Sequence, residues 1–273
     1  ERGLVMRRRI TWIGAAALAA TLGVLFTRGG DERVLIEPEP PEPPGQGSCP
    51  SGMGPEMARL PEGFCIDTTE VTRGQYEAWL DTSPDVDRSG ACAENDDLTP
   101  SCHWPPGGNA DQPVVCVDWC DARAFCEAAG KRLCGRIGGG DYAPDGYDDP
   151  AVSEWHAACT SGGRYDYPYG DTLDTAICRG ADAEDYTTWG FDDVGSFPGC
   201  RSPDAPYSEV MDLSGHAAEW DGACEGDAPG DGCRIRGGSF EHNAHGLRCA
   251  MGRDLRWPRM RRVQAVGFRC CAD

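Results

Sequence analysis

Positive charge is scarce in this 273-residue chain: 25 Lys and Arg face 45 Asp and Glu, for a net charge of −20. The deficit lies after residue 48, because residues 1–48 carry equal numbers of acids and bases. Such a chain is repelled by nucleic acid and by anionic lipid. No C-x2-C pair occurs, Cys116-x3-Cys120 being the nearest approach, so a structural zinc site of cysteine pairs is excluded. Neither an internal repeat nor a phosphate-binding glycine loop is found, which removes solenoids and P-loop enzymes. With 37 Gly and 21 Pro, long helices are few and turns many, so a coiled coil is a poor fit. What the chain does have is 40% hydrophobic residues, enough for a globular core, and 16 cysteines, all after residue 48.

The amino end sorts itself by charge. Arg7, Arg8 and Arg9 precede Ile10 to Phe26, 17 residues without charge, at the short limit of the roughly 17–25 that span a bilayer, which reads as an export signal or a single membrane anchor. Residues 1–30 are therefore expected to be an N-terminal signal or anchor, with the arginines cytoplasmic and the remainder outside. Residues 31–48, with Glu37 to Pro44 alternating acids and prolines, form an extended linker. The head, 49–273, is expected in an extracytoplasmic place, tethered at the membrane or secreted if the segment is cleaved. Its cysteines read as a disulfide framework. Cys270 and Cys271 are adjacent, so they are expected to bridge to two different partners.

Periodicity predicts two helices. Glu70 to Leu80 places Val71, Tyr76, Trp79 and Leu80 on one face, with Thr72 as a cap. Asp118 to Ala129 does the same with Trp119, Ala122, Phe125, Cys126 and Ala129, and Gly130 closes it. Strands are expected at Pro113–Val117, Arg234–Arg236 and Val266–Cys270. Two helices, a few strands and loops pinned by disulfides describe an α+β domain.

The motifs carry a family resemblance. Glu70-Val71-Thr72 with Tyr76, then Pro113-Val114-Val115 with Val117, Trp119, Asp121 and Ala122, stand in order along the chain. Gly130-Lys131-Arg132-Leu133, Glu154-Trp155, Tyr167-Pro168-Tyr169-Gly170 and Val194-Gly195-Ser196 follow. Met211-Asp212-Leu213-Ser214-Gly215 with Glu219-Trp220, Arg236-Gly237-Gly238-Ser239-Phe240, and Gly267-Phe268-Arg269 complete the series. Together they resemble the sulfatase-modifying-factor, or formylglycine-generating-enzyme, domain (FGE-sulfatase) over about residues 61–271. The resemblance implies a C-type-lectin-like, loop-rich α+β fold.

It also implies site residues. Oxidases of this family hold copper(I) through two thiolates just after the R-G-G-S turn, the soft ligands that select that ion. Here His242 stands at the first position, and the next thiol, Cys249, matches a structural cysteine of the family, so copper is not expected. A rearranged centre would draw on His242, His245 and Cys249, with His216 as a further imidazole; Ser239 is a turn serine without a recognisable base. The family's calcium loop maps onto Asp212, Gly215, Ala217 and Glu219, two carboxylates and two carbonyls of the hard type calcium takes. The family's other calcium loop has Ala176 in place of its Asn. Asp85 to Asp96 mimics an EF-hand loop without its helices. Arg248, Arg253, Arg256, Arg259, Arg261, Arg262 and Arg269 form a basic strip beside Trp257, which is expected to pair with the acidic remainder of the domain.

Two functions are thus expected. The first is a calcium-stabilised extracytoplasmic binding module for protein, peptide or glycan that lacks the copper dicysteine. The second is a formylglycine-generating or related non-haem metal oxidoreductase that acts on protein cysteine through a rearranged site.

Overall fold

Each predicted helix starts at a side chain able to cap it. In the computed structural model, which describes residues 48–140, 146–182, 190–250 and 255–273, Thr72 caps α1 (Arg73–Leu80). Its hydroxyl accepts from the Gln75 amide at 3.2 Å, and the Gln75 side chain accepts from the Thr72 amide at 2.9 Å, a reciprocal capping box. Asp118 and Asp121 do the same for α2 (Trp119–Ala128). Tyr76 and Trp79 on α1 and Trp119, Ala122, Phe125 and Cys126 on α2 are buried as expected, but Val71 precedes α1 and Ala129 follows α2.

Among the described residues the strands are short and fall into two four-stranded sheets. Their ranges are β1 (Met57–Arg59), β2 (Cys65–Asp67), β3 (Arg132–Leu133), β4 (Ala218–Cys224), β5 (Gly232–Arg236), β6 (Arg256–Pro258), β7 (Val266–Gly267) and β8 (Cys270–Ala272). One sheet runs β1-β2-β8-β3 and is antiparallel throughout. The other runs β6-β5-β4-β7, with β4 and β7 parallel. A third helix, α3 (Glu154–Thr160), was not expected.

Two strand predictions need correction. Pro113–Val117 is buried but irregular: Val114 N–H donates to Val71 and Cys116 N–H to Val263, and Cys116 lies in the left-handed region at φ 61°. A left-handed residue breaks the alternation that a ladder needs. Val266–Cys270 is two strands, since the chain leaves one sheet after Gly267 and joins the other at Cys270.

The core holds the aromatic residues the helical faces promised. Tyr76 stacks on Phe125 with ring centroids 5.6 Å apart, and Trp79 and Phe268 meet Phe125 edge-on at 5.4 and 5.5 Å. A neighbouring cluster packs Phe64, Trp155 and Leu213 around the Cys159–Cys249 bridge.

All sixteen cysteines are paired, in eight disulfides. Cys270 joins Cys126 and Cys271 joins Cys134, the split between two partners that adjacency required. No described helix is long and apolar enough to cross a membrane. The expected anchor, 1–30, lies outside the described residues, as does the linker up to residue 47.

Candidate functional site

The R-G-G-S turn follows β5 and admits only glycine in its middle. Gly238 has φ +69°, and a Cβ there would come within 2.1 Å of the Gly246 carbonyl oxygen. Beyond it, the Ser239 amide and hydroxyl both lie 3.0 Å from Nδ1 of His242. Ser239 therefore does have an imidazole partner, contrary to expectation. The hydroxyl is fully buried, and the pair ties the turn together.

The rearranged oxidase centre is not assembled. Cys249 is bonded to Cys159, His245 is exposed, and His242 is half-buried with Nδ1 turned to Ser239. No group of three metal-ligating side chains among the described residues includes His242 or His245. His216 sits elsewhere, in the 212–219 loop.

That loop is shaped by left-handed residues at Asp212 (φ 61°), Gly215 (φ 75°) and His216 (φ 56°). It leads into β4 and carries three of the charged groups of a buried cluster. His216 Nδ1 is 2.9 Å from Glu70 Oε1, and His216 Nε2 is 3.0 Å from the Asp192 carbonyl oxygen. Asp212 Oδ2 accepts from the Gly195 amide at 2.6 Å. One ligand atom from each of Glu70, Asp212 and His216 lies within 4.8 Å of the other two. Burial and the Glu70 charge raise the Asp212 pKa to about 6. Burial disfavours the His216 imidazolium, but Glu70 and Asp212 outweigh it and raise its pKa to about 9.

Glu219, the fourth residue of the expected calcium set, is committed elsewhere. Both its oxygens accept from Arg269, at 2.8 to 2.9 Å, and Oε2 also accepts from Trp155 Nε1 at 2.8 Å. Arg269 is fully buried and also donates to the carbonyls of Asp67 and Met211. The side chains that gather around Asp212 are Glu70 and His216, and the residues present do not fit the implied four-residue calcium set. The copper pair fits no better, because every cysteine sulfur is in a disulfide.

The remaining candidates resolve as structure. Asp87 accepts from the Ser89 amide at 2.9 Å, an Asx turn where an EF-hand loop was mimicked. The basic strip is paired internally: Arg248 with Asp166, Arg256 with Glu225, Arg262 with Asp97, Asp118 and Asp121, and Arg269 with Glu219. Arg259 lies buried against Trp119, and exposed Arg261 lies 4.4 Å over the Trp257 ring. Arg253 is outside the described residues. A cleft of about 480 Å³ opens between Trp119, Arg136, Glu225, Asp227 and Arg259.

The profile of the sulfatase-modifying factor enzyme 1-like domain (FGE-sulfatase) matches residues 23–273. Among solved structures the chain is similar to CarF, at 18% identity over 77% of this chain and 86% of that one, with a TM-score of 0.53. It is also similar to PvdO from Pseudomonas aeruginosa, at 21% identity over 81% of this chain and 90% of that one, with a TM-score of 0.49. No curated protein matches it.

Proposed function

This chain belongs to the sulfatase-modifying factor enzyme 1-like family, and we propose that it is an extracytoplasmic binding module for a protein, peptide or glycan, without the family's copper oxidase chemistry. One observation carries the reading: all sixteen cysteines are joined in eight disulfides, so no thiolate pair exists to hold copper(I). Eight bridges also fit an oxidising extracytoplasmic environment. A ligand would meet the cleft beside Trp119, where exposed Arg136, Glu225 and Asp227 bring charges of both signs that suit a polar chain. The apolar segment Ile10–Phe26 would supply the tether.

The test is a conversion assay on the purified chain with copper, oxygen, a cysteine peptide, and reductant too dilute to open the disulfides. Unchanged peptide by mass spectrometry is expected, and formylglycine product would overturn the reading.

A further inference from the structure

Among the described residues the charges around His216 do not balance on their own. Glu70, Asp212 and Glu219 bring three carboxylates into one buried region, and Arg269 is the guanidinium among them, bonded to Glu219 and 4.0 Å from Glu70 Oε2. With an imidazolium at His216, one negative charge remains over. With a neutral imidazole, two remain, which is the charge of a divalent cation. Uncompensated buried charge is costly, so the cluster as built favours a further positive centre.

Three details of geometry agree on where that centre sits. Glu70 Oε2 is buried and accepts no hydrogen bond from a described residue, although its partner oxygen touches His216. His216 Nε2 faces the Asp192 carbonyl at 3.0 Å, so it carries the ring proton and leaves Nδ1 directed at the carboxylates. Metal-ligating histidines are oriented in this way, by a carbonyl or carboxylate on the far nitrogen. Ligand atoms from Glu70, Asp212 and His216 already lie within 4.8 Å of one another.

We propose that Glu70, Asp212 and His216 bind a divalent cation of borderline softness, with zinc as the reference ion, through Nδ1 of the imidazole and one oxygen of each carboxylate. The nitrogen donor discriminates against calcium, which takes oxygen ligands. The ion replaces the imidazole proton of the metal-free ion pair. It joins the segment before α1 to the 212–219 loop, positions 146 residues apart in sequence. The inference is independent of whether the protein binds a ligand or acts on one.

Metal content and thermal unfolding of the full chain test this directly, after chelation and re-addition of zinc, manganese or calcium. The wild type is expected to retain about one zinc per chain, held by three protein ligands with the fourth position open to water. Zinc at about a hundredfold over its dissociation constant is expected to raise the unfolding temperature by about 5–10 °C. Glu70→Gln and His216→Asn each abolish both effects, and His245→Ala leaves both intact. Should a cluster variant fail to fold, cobalt(II) added to the wild type gives visible bands of nitrogen–oxygen ligation. Overturning results are zinc that neither stays nor stabilises, zinc binding that survives both cluster variants, stabilisation by calcium alone, or cobalt without those bands.

Discussion

His156 shows how one buried group sets a pH response. It lies on α3 with Nδ1 3.3 Å from the Cys249 carbonyl oxygen. Burial, helped by the nearby Arg236 charge, lowers its pKa to about 4. The unfolded imidazole binds its proton near 6.5, so the folded form is the poorer proton binder. Stability from this group is complete above pH about 6.5 and falls as the pH drops towards 4, by at most about 3 kcal/mol. Asp121 works in the opposite sense: burial and Asp118 raise its pKa to about 7. Urea unfolding at pH 7 and 4.5 should therefore compare wild type with His156→Gln, and the variant should lose less stability on acidification. Equal losses would show that His156 does not titrate on unfolding. The pairing of His216 with Glu70 was not legible in the sequence: residue type grouped His216 with His242 and His245, whereas its partner lies far away along the chain. Asp212 was legible, because it sits in a motif.

Elements were readable where one face is dry and the other wet. α1 and α2 show that contrast, and their caps are polar residues at the expected boundary. Replacing Thr72 with Ala removes the hydroxyl that accepts from Gln75 and should cost about 1 kcal/mol in chemical unfolding, with Thr72→Ser recovering most of it. No change in the Thr72→Ala midpoint would mean that packing alone fixes the start of α1. By contrast, α3 is buried at all seven positions, so it offers no alternation to read. β4 hides for a different reason. Its Glu219 and Asp221 look like surface residues, yet they are buried against Arg269 and Arg236. Charge satisfied by a distant guanidinium cannot be told from solvated charge without the partner in view.

At the scale of the molecule, eight disulfides cross-link the domain. The Cys126–Cys270 bridge spans 144 residues and fastens α2 to β8. A Cys126→Ser/Cys270→Ser double variant should lose about 2–5 kcal/mol, measured by denaturant unfolding with the other bridges oxidised. A variant as stable as wild type would show that Cys134–Cys271 alone holds β8. The disulfide character of the domain was plain from its cysteines, but the pairing was not, since sequence order carries no connectivity. Cys270 and Cys271 turn to opposite sides of β8 and reach Cys126 and Cys134, eight positions apart in the chain. During synthesis those two earlier thiols emerge long before their proper mates, and oxidation at that moment would join them to each other or to nearby neighbours. A production host that supplies a thiol–disulfide isomerase is therefore expected to yield more correctly paired protein than one without it.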